Sequence, residues 1–134
     1  MYNAQFLTAT KLRIYVGRDI FLGEEPLFRA IMKEAKRHKL AGCTVINCSE
    51  GFASETRGVA KRLLIDFNDS ANLPVVMEIV DSAEKINEFI PFLNKNLKRG
   101  MCTISEEKIL LTDYIKERAA AMDAHDEDRR KTKK

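Results

Sequence analysis

Cysteine and histidine are the residues of this chain that most often bind metals or act as nucleophiles, and their spacing favours neither role. Cys43 and Cys48 lie five positions apart in one predicted strand, so their side chains face opposite ways, roughly 16 Å apart along the strand. Two ligands of one zinc ion cannot be that far apart. His38 and His125 have no sequence neighbours arranged for nucleophilic or metal chemistry. We therefore expect no catalytic residue and no metal site.

Two short segments combine a glycine with basic side chains, which is a pattern of anion sites. Gly17-Arg18-Asp19 follows a predicted strand and is similar to the phosphate loop of acylphosphatases, although the surrounding pattern of that loop is missing. Lys98-Arg99-Gly100 ends a predicted helix, where cations balance the negative helix terminus. Contact with a phosphate is the alternative interpretation of this second segment, provided that the polar residues 49–61 lie nearby.

The composition is that of a small globular protein in a reducing compartment. Of the 134 residues, 45% are hydrophobic and 32% charged, which is enough apolar content for one folded core. Three cysteines, an odd number, argue against a disulfide framework. The longest apolar runs fall far short of the roughly 20 residues of a bilayer span. The first eleven residues lack the apolar segment of a secretory signal, so we expect a cytoplasmic protein.

Charge is concentrated at the C-terminal end of the chain. Much of the net charge of +3 comes from basic residues between 129 and 134, which follow a block of acidic ones. No basic face interleaved with aromatic residues appears, so we expect no nucleic-acid partner. Residues 114–134 are predicted to begin as a short helix and to continue, from about residue 123, as a charged, disordered tail. The folded domain is therefore expected over 1–113.

Hydrophobic periodicity predicts the elements that must position these side chains. In chain order they are a strand over 11–16, a helix from Pro26 to about residue 40, a strand over 43–48, a loop over 49–61, a strand over 73–80, a helix from Asp81 to Gly100 and a strand over 101–111. This β-α-β-loop-β-α-β order is the ferredoxin-like (βαββαβ) plan of class α+β, with an antiparallel sheet and both helices on one face. The plan assigns no function by itself, because it serves unrelated ones.

Two of these elements carry further expectations. The strand over 73–80 is apolar at nearly every position, so both of its faces should be covered. Two helices can cover one face, and the other needs a second subunit. In the second helix, Asp81 is expected to be the N-cap with Glu84 completing a capping box, and Pro91 is expected to kink or restart the helix.

Several spaced motifs resemble one known family. They are Leu12-Arg-Ile-Tyr-Val-Gly17, Pro26-Leu27, Ala41-Gly42, Glu50-Gly51-Phe52, Leu73-Pro74 and Asp81-Ser82. Together they resemble, over roughly residues 10–113, the PII-like family catalogued as domain of unknown function 190. That family is related to the PII signalling proteins. The resemblance implies a homotrimer whose sheets face inward, which agrees with two-sided burial of 73–80.

The resemblance also implies a ligand site. In PII proteins the loop after the second strand reaches partner proteins, and its base joins the clefts between subunits where adenine nucleotides bind. By position, Thr44 matches a threonine near the adenine, Gly51 and Phe52 match the loop base, and Lys108 matches the lysine before the last strand. The candidate ligand-binding residues are Thr44, Glu50, Gly51, Phe52, Arg57, Arg62, Lys98, Arg99, Gly100 and Lys108. Arg57 and Arg62 are included on their charge alone.

Some positions depart from the family pattern. Ala53 stands where glycine is usual, Arg18 where glutamate is common and Lys39 where glycine is common. The glycine-rich phosphate-cradling turn of PII proteins is replaced by residues 100–107, whose two glutamates would repel a phosphate. The modification tyrosine of the PII loop is missing.

The sequence thus leads to a non-enzymatic, trimeric regulator that binds a small anionic ligand, with ATP, ADP or AMP as candidates, and signals by ordering the loop 49–61. The family is often encoded beside fluoride exporters, so the resemblance implies a membrane transporter as partner. Two alternatives stay open: a CutA-like structural or metal-associated trimer that binds no nucleotide, and a small phosphate-handling enzyme centred on Arg18.

Overall fold

The structure, a computed structural model, describes residues 4–51 and 73–132, and the side chains of these residues except 122–130 and 132. The elements are β1 (Phe6–Gly17), β2 (Phe21–Leu22), β3 (Glu25–Pro26), α1 (Leu27–Arg37), β4 (Thr44–Asn47), β5 (Pro74–Asp81), α2 (Ala83–Asn96), β6 (Met101–Leu110) and α3 (Asp113–Thr132). Contacts group the chain into two units, Ala9–Glu107 and Met1–Thr8 with Lys108–Lys134. Within the described ranges, no helix combines the length and hydropathy needed to cross a bilayer.

Four strands form the main sheet in the order β4-β5-β1-β6. β5 is antiparallel to both of its neighbours, β1 and β4. This strand order, with a helix after the first and the third of the four strands, is the ferredoxin-like arrangement, so the predicted α+β class is confirmed. β2 and β3 form a separate two-stranded hairpin between β1 and α1. Two-residue strands are too short to show periodicity, which is why the sequence did not reveal them.

The core lies between one face of the sheet and the helices α1 and α2. In β1 the predicted inward residues Leu12, Ile14 and Val16 are at most 1% exposed. The fully or nearly buried side chains of the two helices are Leu27, Phe28, Ala30, Ile31, Ala35, Ile86, Phe89 and Leu93. Since a fully buried aliphatic or aromatic side chain contributes about 1.5–3 kcal/mol, this layer accounts for much of the stability.

The opposite face of the sheet is not covered by α1 or α2. Along β5, Val75, Met77 and Ile79 are completely buried, whereas the alternate residues are only half-buried. Among the described residues, β5 is therefore completely buried on one of its two faces only. We call the opposite face the second face, and its members on β1, β4 and β5 are Lys11, Arg13, Tyr15, Thr44, Ile46, Val76, Glu78 and Val80.

The N-cap of α2 is Ser82, so the prediction of Asp81 at this position was wrong by one residue. The Ser82 hydroxyl accepts a hydrogen bond from the Lys85 amide at 3.3 Å. Asp81 is the last residue of β5, and its carboxylate accepts from the amides of Ala41 and Ser82 at 2.8 and 2.7 Å. Because the cap moves by one residue, Lys85 rather than Glu84 occupies the third helical position, and no capping box forms.

The helix ends also differ from the sequence prediction. α1 stops at Arg37, and Lys39 then adopts a left-handed backbone with φ 59°, the conformation that glycine favours after a helix. α2 continues through Pro91 as one helix, without a restart. Pro91 is exposed, so water can satisfy the carbonyl group that loses its intrahelical partner.

The C-terminal unit has more regular structure than the sequence suggested. α3 runs to Thr132, well past residue 123, where a disordered tail was expected. Thr112 supports its first turn, because its hydroxyl accepts from the Ile115 amide at 3.2 Å. The charged residues of this segment are mostly Glu, Lys and Arg, which are good helix formers, so high charge did not prevent a helix. In the same unit, Lys108 lies inside β6, within the predicted strand over 101–111.

Candidate ligand site

Segments that are remote in sequence meet at the end of the sheet where β1 stops and β5 starts. Gly17 pairs with Pro74, and Asn47 at the end of β4 pairs with Val75. The turn before β6 reaches the same place, because Gly100 packs on the backbone carbonyl of Tyr15. We call this end of the sheet the rim, and its residues are 15–18, 47–51, 73–74 and 97–100.

Gly51 places the base of the predicted loop at the rim. A Cβ atom at Gly51 would lie 3.1 Å from Cγ of Pro74, so the backbone here packs directly on the first residue of β5. The adjoining Glu50 is exposed. Phe52, Arg57, Arg62 and the remainder of the loop lie outside the described residues.

Gly100 holds the second predicted segment at the rim. It has φ 131°, a conformation almost confined to glycine, and a Cβ atom there would lie 2.5 Å from the Tyr15 carbonyl oxygen and 3.1 Å from Leu97 Cδ1. Lys98 and Arg99 precede it and are exposed. Two cations therefore lie on a turn that packs against the end of β1.

Two predicted ligand residues are not among the rim residues. Thr44 begins β4 opposite Glu78, so its side chain is exposed on the second face. Lys108 is exposed in β6 and belongs to the C-terminal unit. The rim thus joins Glu50, Gly51 and the segment 98–100, and the assignment of all ten residues to a ligand stays a prediction.

A cationic cluster lies beside the rim, and the sequence had indicated only its Arg18 as a candidate phosphate contact. Arg18 donates a hydrogen bond to Oδ1 of Asn47, and its Cζ atom lies 5.6 Å from the centroid of the Phe28 ring. Arg29 lies at 5.8 Å from the same ring. We call Arg18, Phe28, Arg29 and Asn47 the arginine cluster. Its members come from a turn, a helix and a strand, so no spacing pattern could have indicated it.

A row of charges crosses the second face. Arg13 Nη2 lies 2.6 Å from Glu78 Oε1, and Lys11 Nζ lies 3.1 Å from Glu107 Oε1 and 3.9 Å from Glu78 Oε2. The hydrogen bond with Glu78 raises the pKa of Arg13, and that from Lys11 lowers the pKa of Glu107. The Nε atom of Arg13 is buried without a hydrogen-bond partner within the described part of the chain.

The cysteines are free thiols. Cys43, Cys48 and Cys102 are each partly buried and form no disulfide. Burial raises the pKa of Cys43 and of Cys102, so both remain protonated at neutral pH and are poor nucleophiles. In the described segments, no three Cys, His, Asp or Glu side chains are grouped so that they could hold a metal ion.

The family model that matches this chain is that of DUF190, described as an uncharacterized ACR, and it matches residues 9–109. The chain belongs to the DUF190 family. This DUF190 chain is 30% identical over 99 residues to the UPF0166 protein of Aquifex aeolicus, covering 74% of its own length and 90% of the relative's. It is 35% identical over 101 residues to a UPF0166 protein of Methanocaldococcus jannaschii, covering 75% and 90%.

Among solved structures, the DUF190 chain is similar in fold to CPII, a nitrogen regulatory PII-like protein from Thiomonas intermedia K12 whose structure contains ADP, AMP and bicarbonate. The TM-score is 0.54 and the sequence identity 14%, over 78% of this chain and 91% of CPII. At this identity the similarity establishes the fold alone. The predicted PII-like ferredoxin fold is therefore confirmed.

Replacing Gly100 by alanine should destabilise the protein by about 2 kcal/mol or more, because the new methyl group would meet the Tyr15 carbonyl and the backbone would be strained. Urea unfolding followed by circular dichroism measures this change. Gly42→Ala is the matched control, since a Cβ atom at Gly42 meets nothing within 4 Å. Equal stabilities of the two variants would show that Gly100 does not hold the turn at the rim.

Replacing Lys11 by glutamine should raise the pKa of Glu107 towards its ordinary value, because a hydrogen bond and a positive charge are lost. A lowered carboxyl pKa stabilises the folded state above the ordinary pKa of a glutamate, and the stabilisation is lost as pH falls through the lowered value. Carboxyl NMR titration measures the shift. Lys33→Gln, which removes a partner of Glu25 instead, should leave Glu107 unchanged. An unchanged pKa in Lys11→Gln would contradict the pairing on the second face.

Proposed function

We propose that this DUF190 protein is a non-enzymatic PII-like regulator. In the proposal it is a cytoplasmic homotrimer that binds a small anionic ligand, an adenine nucleotide, at clefts between subunits and signals through the loop 49–61. The observation that carries the proposal is the rim, where Gly51 at the loop base and the Lys98-Arg99-Gly100 turn are fixed on adjoining strands. The same fold occurs in CPII, which has ADP and AMP bound.

The rim has the charge that an anionic ligand requires. Lys98 and Arg99 are exposed, so their donors are accessible to phosphate oxygens. Glu107, which the sequence suggested would repel a phosphate, lies on β6 and contacts Lys11 on the second face. Its charge is offset there, several residues from the turn, which removes one objection to phosphate at the rim.

The second face supports the trimer in the proposal. A half-buried ion pair such as Arg13 with Glu78 is costly to desolvate, and the buried Nε of Arg13 lacks an acceptor within the described residues. Ile46 is 43% exposed beside this pair, although it belongs to a strand of the sheet. Further copies of the chain could cover the apolar residues of this face and supply an acceptor to Arg13.

The rim also gives the proposed switch a physical basis. The loop begins at Gly51, which is packed on Pro74, and the basic turn ends at Gly100, which is packed on Tyr15. A ligand that contacts Lys98, Arg99 and the loop would bind one loop arrangement more tightly than others and so shift their populations. A membrane transporter, which the family resemblance implies as partner, would then recognise the loop in one of these arrangements.

One observation favours a regulator over an enzyme centred on Arg18. A phosphate-cradling loop needs successive backbone N–H groups that are free to bind the anion. Here the amide of Arg18 donates to the Leu73 carbonyl at 3.2 Å, and that of Ile20 donates to the Gly17 carbonyl at 3.3 Å. These donors already serve the turn that follows β1.

Calorimetric titration of the purified protein with ATP, ADP and AMP tests the proposal. We expect saturable binding of at least one nucleotide, and at least a tenfold loss of affinity in the double variant Lys98→Gln with Arg99→Gln, because two charge-assisted contacts to phosphate are removed. The control variant is Lys95→Gln, which removes one positive charge from an exposed position in the last turn of α2. It should bind nucleotides as the wild type does.

Lys108→Ala is a separate arm of the same titration, because the family resemblance assigns this residue to the ligand. A loss of affinity would add Lys108 to the site, and unchanged affinity would remove it. Absence of binding of all three nucleotides to the wild-type protein would contradict the proposed ligand class.

A further inference from the structure

We propose that the arginine cluster is a second anion site, which binds a diphosphate group through the guanidinium groups of Arg18 and Arg29. The diphosphate is either free pyrophosphate or part of a nucleotide. The site goes beyond the proposed nucleotide cleft, because its residues differ from those of the 98–100 turn. The inference holds whether or not the protein binds adenine nucleotides.

The positive charges of the arginine cluster are not balanced by carboxylates. Four other basic side chains of the same unit, Lys11, Arg13, Lys33 and Arg37, lie within 4 Å of a carboxylate oxygen. Neither arginine of the cluster has an ion pair within the described residues, yet both guanidinium groups lie over one ring. Two like charges held near one another repel, so an anion that contacts both would be bound with additional stabilisation.

Arg18 is oriented before any ligand binds. Its guanidinium donates to Asn47 and lies over Phe28, which is only 8% exposed and therefore fixed in the core. An arginine that is already oriented loses less conformational entropy when it binds. A guanidinium has five N–H donors, so the bond to Asn47 leaves others for a ligand.

Arg29 lies at the start of a helix. It is exposed in the first turn of α1, where the sequence has no acidic residue. The partial positive charge of a helix start adds to that of the two arginines. The first turn of α1 itself therefore has no acidic side chain to compete with an anion, and the carboxylate of Glu25, which precedes the helix, is paired with Lys33 at 2.6 Å.

The number of oxygen atoms favours a diphosphate over a single carboxylate. Arginine binds phosphate oxygens in pairs, and a diphosphate has acceptors at both ends. Both Cζ atoms lie within 6 Å of one ring centroid, so they are less than 12 Å apart, and in the proposal the two ends of one diphosphate each contact one guanidinium. A carboxylate has only two acceptor oxygens, and one guanidinium can bind both of them, so none is left for the second arginine.

The test is a titration of the full chain with inorganic pyrophosphate, followed by the NMR signals of the arginine Nε–H groups. We expect the signals of Arg18 and Arg29 to shift saturably, and affinity to fall about tenfold or more in Arg18→Gln and in Arg29→Gln. Arg37→Gln is the matched control, since Arg37 lies on the same helix and is paired with Glu34 at 3.3 Å. It should bind within about twofold of the wild type, because an exposed ion pair away from the site contributes little.

Two further arms distinguish the sources of the diphosphate. If ADP shifts the two arginine signals and competes with pyrophosphate, the cluster binds the diphosphate of a nucleotide; if only pyrophosphate does, it binds the free anion. Adenosine, which lacks phosphate, should leave both signals unchanged. If Arg18→Gln fails to fold because its contact with Asn47 is lost, Arg29→Gln still tests the site, since Arg29 is exposed.

Pyrophosphate binding that is equal in Arg18→Gln, Arg29→Gln and Arg37→Gln would overturn the inference, even if nucleotides bind at the 98–100 turn. Conversely, pyrophosphate binding that depends on both arginines, in a protein that binds no adenine nucleotide, would support the cluster and contradict the proposed function.

Discussion

The structure depends on one constraint, which is that two helices can cover only one face of a four-stranded sheet. The residues of β5 that face α1 and α2 are completely buried, and those on the second face are half-buried. That second face carries the Arg13 and Glu78 pair and a buried N–H group without a partner in the described residues. These are the features expected of an assembly surface, since burial of charges and of unpaired donors has a cost that further contacts must offset. In the proposed trimer, contacts between subunits through the second face offset this cost, and the clefts lie between the subunits.

A second consequence of the strand order is that segments far apart in sequence meet at the rim. β4 ends where β5 starts and where β1 ends, so Asn47, Pro74 and Arg18 become neighbours. The close contact of Gly100 with Tyr15 is possible only because this glycine has no side chain, and a Cβ atom at Gly51 would lie 3.1 Å from Cγ of Pro74. The backbone that carries Lys98 and Arg99 is thereby held in place. A fixed backbone with exposed cations is suited to binding anions, because little order is lost when the ligand arrives.

Much of the fold could be predicted because its signals are local. The alternation of Leu12, Ile14 and Val16 and the apolar stripe of α1 arise from interactions of each element with one core, and they appear in short windows of sequence. One failure involves a partner that is distant in the chain. Asp81 looked like an N-cap, but it belongs to β5 and its carboxylate is bound by the amide of Ala41.

The candidate site shows the same division between local and distant signals. The loop base was identified from family motifs, and the basic turn from its glycine and its two cations. Arg18 was also indicated by the sequence, but the rest of the arginine cluster was not, since Arg18, Phe28 and Asn47 have no regular spacing and meet only through tertiary structure. The length of α3 was underestimated because dense charge suggested disorder, although most of the residue types involved favour helices.

The measurement that tests the central claim most directly is the mass of the protein in solution, determined by light scattering or sedimentation over a range of concentrations. If copies of the chain cover the second face as in the proposed trimer, the protein should be a species of three chains, each of 15.3 kDa, down to low micromolar concentration. A single species of 15.3 kDa throughout the range would contradict the assembly through the second face, and with it the clefts of the proposed regulator.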